Sequence, residues 1–452
     1  MTVKTGVIAT SQEVQTSGSR HVAIIWLVGM FLLLPVELIK LPLNVSLVDV
    51  WTMAAIPIVW ISVPRGRQQI STYYTVPMWL ILVGSFASTL GAPAARNGLI
   101  VIVKELFVYL WFITLIIALV RLTPRDFHRV LVIWAAVVLV HGLLIVAQFI
   151  SPEFWRLTAE HLGRGESYEI YRPSGLLANA NSAAFFQLLG FVPLMLFRPP
   201  RKLGAILALV LIITMLATGS MASILALAAG SILALVILAV KGRVTVIARL
   251  FGRLTIASVL VGTLFVAVVG QNDRYQFHLS RILVGRADRS SEGRFDLWAR
   301  GINVFVEEDV FLTGIGPENF RVVDGGGKQL HNDFLAFSVE RGLIGIFGLG
   351  LFVLLAVIRA INLFLITDKH RQDDAELVVI VLLAAMAAAL VYSITHQVFH
   401  NRQLWMILAL QEAMYFNLVS SGFRLGIPRL TMKAESSESP QYLLGSGEAR
   451  GT

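Results

Sequence analysis

The stretch GGGKQLHNDFLAFSVERGLIGIFGLGLF, residues 325–352, decides how the rest of the chain is read. Its second half is apolar enough for a membrane span. It nevertheless opens with Lys328, Gln329, His331, Asn332 and Asp333, and it carries Glu340-Arg341 two to three turns further in. Polar groups within a span are costly, and they concentrate where they face a bundle interior or a wet cavity. A helix that only had to cross a bilayer would gain nothing from them. The polar head therefore predicts a span whose mouth faces a chemical site, and the remaining sequence has to supply the other walls.

The surroundings of this stretch are apolar too. Of the 452 residues 56% are hydrophobic and 14% charged, the latter about half the share of an ordinary soluble domain. A hydrocarbon core about 30 Å thick needs roughly 20 apolar residues per helix. Runs of that kind predict an all-α, polytopic membrane protein of about twelve transmembrane helices, near 22–40, 46–63, 76–91, 99–120, 127–150, 178–197, 203–219, 221–240, 247–270, 333–358, 376–395 and 402–420. The first is read as a retained span, since no small-residue cleavage site follows it. The loops PRGRQQ (64–69), RLTPRDFHR (121–129), RPPRK (198–202) and KGRVTVIARLFGR (241–253) are basic, whereas LPLN (41–44) and GAPAARNG (91–98) carry one Arg between them. By the positive-inside rule the basic loops and both termini are cytoplasmic.

The organisation that follows is a cytoplasmic segment 1–21, spans one to nine over 22–270 with an outer loop near 151–177, a long outer loop 271–332, spans ten to twelve over 333–420, and a disordered cytoplasmic tail 421–452. The absence of cysteine excludes disulfides and thiolate chemistry. The sequence has no GxxxxGK[ST] loop to cradle nucleotide phosphates, which argues against ATP-driven pumping by this chain.

Polar chemistry concentrates on the outer side. Between Arg274 and Arg300 the long loop carries Arg274, Arg281, Arg286, Arg289, Arg294 and Arg300, with no lysine. The guanidinium fork is always charged and pairs bidentately with phosphate, so this cluster points to an anionic ligand. Salt bridging with loop carboxylates and headgroups is the plainer reading for any single one. In 293–311, Phe295, Trp298, Ile302 and Phe305 keep helical spacing and predict an amphipathic helix lying on the membrane domain. LTGIGPENF (312–320) reads as a tight corner. His331 sits at the mouth of the tenth span, its stripe continuing through Leu335 and Ser338. Histidine titrates near neutrality and so can accept a proton from an attacking hydroxyl. Taken alone it is as well explained by interfacial hydrogen bonding. His396 and His400 have the i, i+4 spacing of a metal pair, but no further ligands at a telling spacing. Lys104 and Glu105, towards the outer end of the fourth span, read either as a buried structural pair or as groups lining a cavity.

Four segments occur in a distinctive order: RPSGLLANANSAAFF (172–186), ATGSMASILALAAG (217–230), GRFDLWARGINVFVEEDVFLTGIGPENF (293–320) and HNDFLAFSVERGLIGIFGLG (331–350). Together they resemble the O-antigen ligase and polymerase superfamily of bacterial envelope proteins, over about 170–395. The resemblance implies an enzyme of the bacterial inner membrane that moves a glycan from undecaprenyl diphosphate to an acceptor sugar hydroxyl, lipid A–core in a ligase, at the periplasmic face. It implies no cofactor, metal ion or ATP. By resemblance His331 activates the acceptor hydroxyl, with Asn332 beside it, and Arg172 and Arg294 hold the diphosphate. Many members carry Ser-Arg where this chain reads Ser220-Met221, so Arg281, Arg286 or Arg289 is expected to supply the missing charge. A polymerase of the same superfamily, using a second carrier-linked glycan as acceptor, shares these motifs. A transporter or flippase of carrier-linked glycans is the alternative from another class, with a non-catalytic scaffold a weaker third.

Overall fold

The structure is a computed structural model, which describes residues 6–37, 45–62, 73–161, 172–197, 199–243, 285–307, 310–369 and 373–421. Among these residues the chain forms fifteen helices. They are α1 (Gly6–Leu33), α2 (Leu47–Ile61), α3 (Thr75–Leu90), α4 (Ala95–Leu119), α5 (Pro124–Ile150), α6 (Pro152–His161), α7 (Ala180–Leu189), α8 (Phe191–Phe197), α9 (Arg201–Thr218), α10 (Met221–Val240), α11 (Gly285–Glu307), α12 (Phe320–Val323), α13 (Asp333–Lys369), α14 (Asp373–Ser393) and α15 (Arg402–Ser421). Six stretches are long and apolar enough to cross a bilayer: Ala95–Leu119, Pro124–Ile150, Ala180–Phe197, Met221–Val240, Asp333–Thr367 and Glu376–Ser393. Shorter apolar helices run over Gly18–Leu33, Leu47–Ile61, Thr75–Leu90 and Lys202–Thr218. The expected ninth span (247–270) and the tail 422–452 lie outside the described residues. Six such spans among the described residues are fewer than the twelve expected, and further details depart from the sequence reading. The first helix begins at Gly6, inside the polar segment, and the sixth span is divided at Gly190 into α7 and α8.

In a bilayer every backbone polar group must be satisfied internally, which makes helices the default for such runs. Helices then associate through close packing of small residues. The main seam joins α3 to α13. A Cβ on Gly84 would lie 2.8 Å from the Gly345 nitrogen, and one on Gly348 would lie 2.9 Å from the Ile81 nitrogen, so neither position has room for a larger residue. Beside the seam, Tyr74, Phe112, Phe352, Phe399 and Trp405 form a buried aromatic cluster, with Phe352–Trp405 centroids 5.1 Å apart and Phe112–Trp405 5.5 Å apart. Side chains such as Trp79, Phe86, Val103, Leu143, Leu225 and Phe347 point outward and are exposed, as expected for the solvent-facing belt of a membrane bundle.

The tenth span departs most from a simple helix. Gly342 has φ 62° and ψ −162°, which breaks α13 after its first two turns. Only glycine adopts this backbone readily, and a Cβ there would strike the Leu312 carbonyl. A break inside a bundle frees carbonyls and amides that need partners. The corner 310–316 supplies them: Ile315 N–H donates to Val339 O (3.0 Å), Gly316 N–H donates to Glu340 O (2.9 Å), and Phe311 O accepts from Leu343 N (2.8 Å). The expected tight corner is thus present, with positive φ at Gly314, Gly316 and Glu318. Its purpose is to stitch the outer loop to the broken helix. Asn319 then ties the corner to the 91–98 loop by accepting from Ala94 N–H at 2.8 Å.

The amphipathic helix α11 exists, and two of its four expected face residues, Trp298 and Phe305, turn towards the protein, Trp298 Nε1 donating to Leu330 O at 3.2 Å. Leu297 is buried with Ile315, Phe320, Leu330, Ala336 and Val339, and Val304 and Phe305 pack alongside. Phe295 (62% exposed) and Ile302 (52% exposed) point the other way. The helix carries apolar residues on opposite sides, so spacing alone could not tell which side would be covered.

Candidate functional site

One wall is built around Arg172. Its backbone is fixed from below: Trp155 Nε1 donates to Arg172 O (3.1 Å), and the buried Gln148 Oε1 accepts from Ser174 N (2.9 Å) and Gly175 N (2.8 Å). Gln148 Nε2 returns a bond to Gly175 O at 2.9 Å. With the turn locked by one side-chain amide, the guanidinium projects over the end of α9. There Nε donates to Thr218 O (3.1 Å) and Nη2 to Asn181 Oδ1 (2.9 Å). The C-terminal end of a helix carries partial negative charge and favours a cation. Met221, the position that departs from the family pattern, opens α10 with an exposed side chain three residues beyond Thr218.

The facing wall comes from the end of α14 and the turn after it. The Tyr392 hydroxyl donates to Asn181 O at 2.8 Å, so Asn181 connects Arg172 to this wall. The His396 ring stacks on Tyr392 with centroids 4.6 Å apart and planes 18° apart. Arg294, from α11, brings Nη2 to 3.5 Å from His396 Nε2. The His331 ring stands 6.3 Å from the His396 ring. Arg172, Arg294 and His331, distant in sequence, therefore gather around Tyr392 and His396.

The remaining candidates fall elsewhere. Asn332 Oδ1 accepts from Leu335 N at 3.0 Å, so this side chain caps the start of α13. Arg281 lies outside the described residues, and Arg286 and Arg289 sit on α11. His331 precedes α13 with φ 47° and is not part of a helical stripe with Leu335 and Ser338. The Lys104–Glu105 pair is corrected. Lys104 is exposed, while the buried Glu105 accepts from Arg341 Nη2 (2.7 Å) and Ser85 Oγ (3.0 Å), with His400 Nε2 3.4 Å away. His400 is thereby separated in role from His396. Among the described residues no group of three or more His, Cys, Asp or Glu side chains is arranged to hold a metal ion.

Tyr392, His396, Asn181 and Asp333 were not legible as site residues. Asp333 is buried at the mouth of α13, where Oδ2 accepts from Val398 N (2.8 Å) and Phe399 N (3.2 Å). It thus fastens the His396 turn to the residues that follow His331. The closest sequence signal was the histidine pair 396/400, whose spacing suits a metal but which, with no further ligands at a telling spacing, reads as interfacial hydrogen bonding.

Electrostatically the site is basic and its imidazoles are neutral. Surrounding protein atoms and the Arg294 charge hold His331 below its ordinary value, although the residue remains exposed. His396 is pushed down to about 3, by burial first and then by Arg294, His331 and Arg172. Burial also lowers Arg294, but an arginine starts so high that it stays cationic. Chemically, the arrangement offers a neutral, accessible imidazole as proton acceptor beside two guanidinium groups suited to a phosphate-bearing ligand.

Residues 205–350 match a family model described as O-Antigen ligase. The matched segment is about a third of the chain, and over it the chain is similar to that family. Arg294 and His331 lie inside the matched segment, whereas Arg172, Tyr392 and His396 lie outside it. No curated protein matches the chain.

Proposed function

We propose that this multi-pass membrane protein, with its O-antigen ligase segment over residues 205–350, is a glycosyltransferase that moves a glycan from undecaprenyl diphosphate to a hydroxyl of lipid A–core. In this reading His331 takes the acceptor proton as the hydroxyl oxygen attacks the anomeric carbon. The bond from that carbon to the diphosphate breaks, and the departing charge falls on Arg172 and Arg294. Fixed cationic donors aimed at developing charge stabilise the transition state without reorganising. The leaving diphosphate makes the donor reactive from the outset, so the reaction has no need of ATP. A direct displacement inverts the anomeric configuration.

The observation that carries this reading is the convergence of Arg172, Arg294 and His331 on the Tyr392–His396 stack. Asn319 bonds to the 91–98 loop, one of two short loops that carry a single Arg between them, which supports a periplasmic site in the bacterial inner membrane, with both termini in the cytoplasm. The test is a gel of products from purified protein, carrier-linked glycan and lipid A–core, without ATP and with a chelator present, comparing wild type with His331→Ala. A single shift of the lipid A–core band that disappears in the variant is the expected result. A ladder of longer carrier-linked chains would make the protein a polymerase. No product from the wild type with several donors would overturn the catalytic reading in favour of transport.

A further inference from the structure

We propose that His396 is a positioning residue that holds the Arg294 guanidinium in place for an isoprenyl diphosphate; the proposal rests on the reading of this basic wall as a diphosphate site. Arginine has a long side chain with about 2 kcal/mol of rotamer entropy, and a guanidinium that is not pre-set loses affinity when a ligand orders it. His396 is built to prevent that.

Every freedom of its ring is restricted by something visible. Phe185, Tyr392 and His396 form one column of rings, with centroids 4.7 Å apart between the first two and 4.6 Å between the last two. The Tyr392 hydroxyl is tied to Asn181 O, which prevents the column from sliding. The backbone of the turn is held at one end by His396 N donating to Tyr392 O (3.0 Å). At the other it is held by Asp333 accepting from Val398 and Phe399.

The proton position follows from the partners. A guanidinium can only donate, so His396 Nε2, facing Arg294 Nη2 at 3.5 Å, is the acceptor. The ring proton is then on Nδ1, which points at Thr395 Oγ1 at 3.1 Å, and Thr395 passes its own proton to Tyr392 O at 3.1 Å. A ring shifted to about 3 stays neutral and keeps that acceptor at any physiological pH. Among the described residues no carboxylate pairs with Arg294, so its charge remains available to a ligand.

The test measures binding of geranyl diphosphate to the purified, detergent-solubilised full chain by isothermal titration, so it is independent of glycan transfer. His396→Phe keeps the ring on Tyr392 and removes the acceptor. His396→Gln removes the ring and returns an acceptor oxygen near the position of Nε2. Wild-type binding, a loss of about tenfold in His396→Phe, recovery to within about threefold in His396→Gln, and no further loss when His396→Phe is added to Arg294→Ala are the expected results. The proposal is overturned if His396→Phe binds as the wild type does, if His396→Gln is as weak as His396→Phe, or if the two losses multiply. A wild type that does not bind the probe removes the diphosphate site itself. Binding that is equal in wild type and His396→Phe removes only the role of His396.

Discussion

Asp333→Ala is the most informative single change, because it separates the geometry of the site from its reactive groups. Asp333 is 3% exposed, and its carboxylate accepts from the amides of Val398 and Phe399, both of which are 2% exposed. Alanine leaves two buried N–H groups without a partner, at about 1–3 kcal/mol each. Phe337 and Phe352 pack their rings on Phe399 at 5.1 and 5.6 Å, so the space is apolar and water is a poor replacement. A carboxylate in the first turn of α13 adds about 0.3–1 kcal/mol through the helix dipole. The expected loss is therefore about 2–7 kcal/mol, read from equilibrium unfolding in mixed micelles of rising SDS content. Because the same turn carries His396, glycan transfer should fall further than the folded fraction; a misplacement of about 1 Å can cost a hundredfold in rate. Asp333→Asn keeps an acceptor oxygen and should stay within about 1 kcal/mol of wild type. The reasoning is refuted if Asp333→Ala unfolds as the wild type does, or if asparagine is as damaging as alanine.

The other expectations concern the base, the broken span and the buried charges. A histidine lowered by burial and by Arg294 is deprotonated across the neutral range and becomes protonated only as pH falls below its ordinary value near 6.5. The transfer rate should accordingly be flat above pH 6.5 and decline below it; a profile still rising well above 6.5 would remove His331 as the base. Gly342→Ala places a side chain at φ 62° against the Leu312 carbonyl, and the strain alone should cost about 1–3 kcal/mol, visible as a lowered unfolding midpoint in detergent. Glu105→Gln or Arg341→Met should each cost up to about 3–5 kcal/mol by removing one member of a buried ionic cluster, in which Glu340 also lies 3.5 Å from Arg341 and His400 3.4 Å from Glu105. In the double-mutant cycle the two losses should be less than additive, and additive losses would show the two groups to be independent.

Much of the architecture was visible in the chain itself. A run of about 20 apolar residues can do little in a bilayer except form a helix, and the mouth of the tenth span stood out because Lys328, His331, Asn332 and Asp333 open it. Reading their roles was harder. His331 and Asp333 are two residues apart, yet one faces the site and the other fastens a turn 65 residues away. Spacing was a partial guide in α11: of the four expected docking residues Trp298 and Phe305 pack against the protein while Phe295 and Ile302 do not, and the buried Leu297 was not among them.

The sequence by itself determined the helical, membrane-embedded character of the chain and singled out Arg172, Arg294 and His331 as candidates. These follow from local composition and periodicity, or from an ordered resemblance. Only the tertiary structure decided which charges meet. Glu105 pairs with Arg341 rather than its neighbour Lys104, Arg402 reaches Asp49, and His396 joins Arg294 while His400 turns to Glu105. A buried charge or an amide freed by a broken helix must find a partner wherever packing brings one. That partner is set by how helices lie against one another, which no spacing along a single segment records.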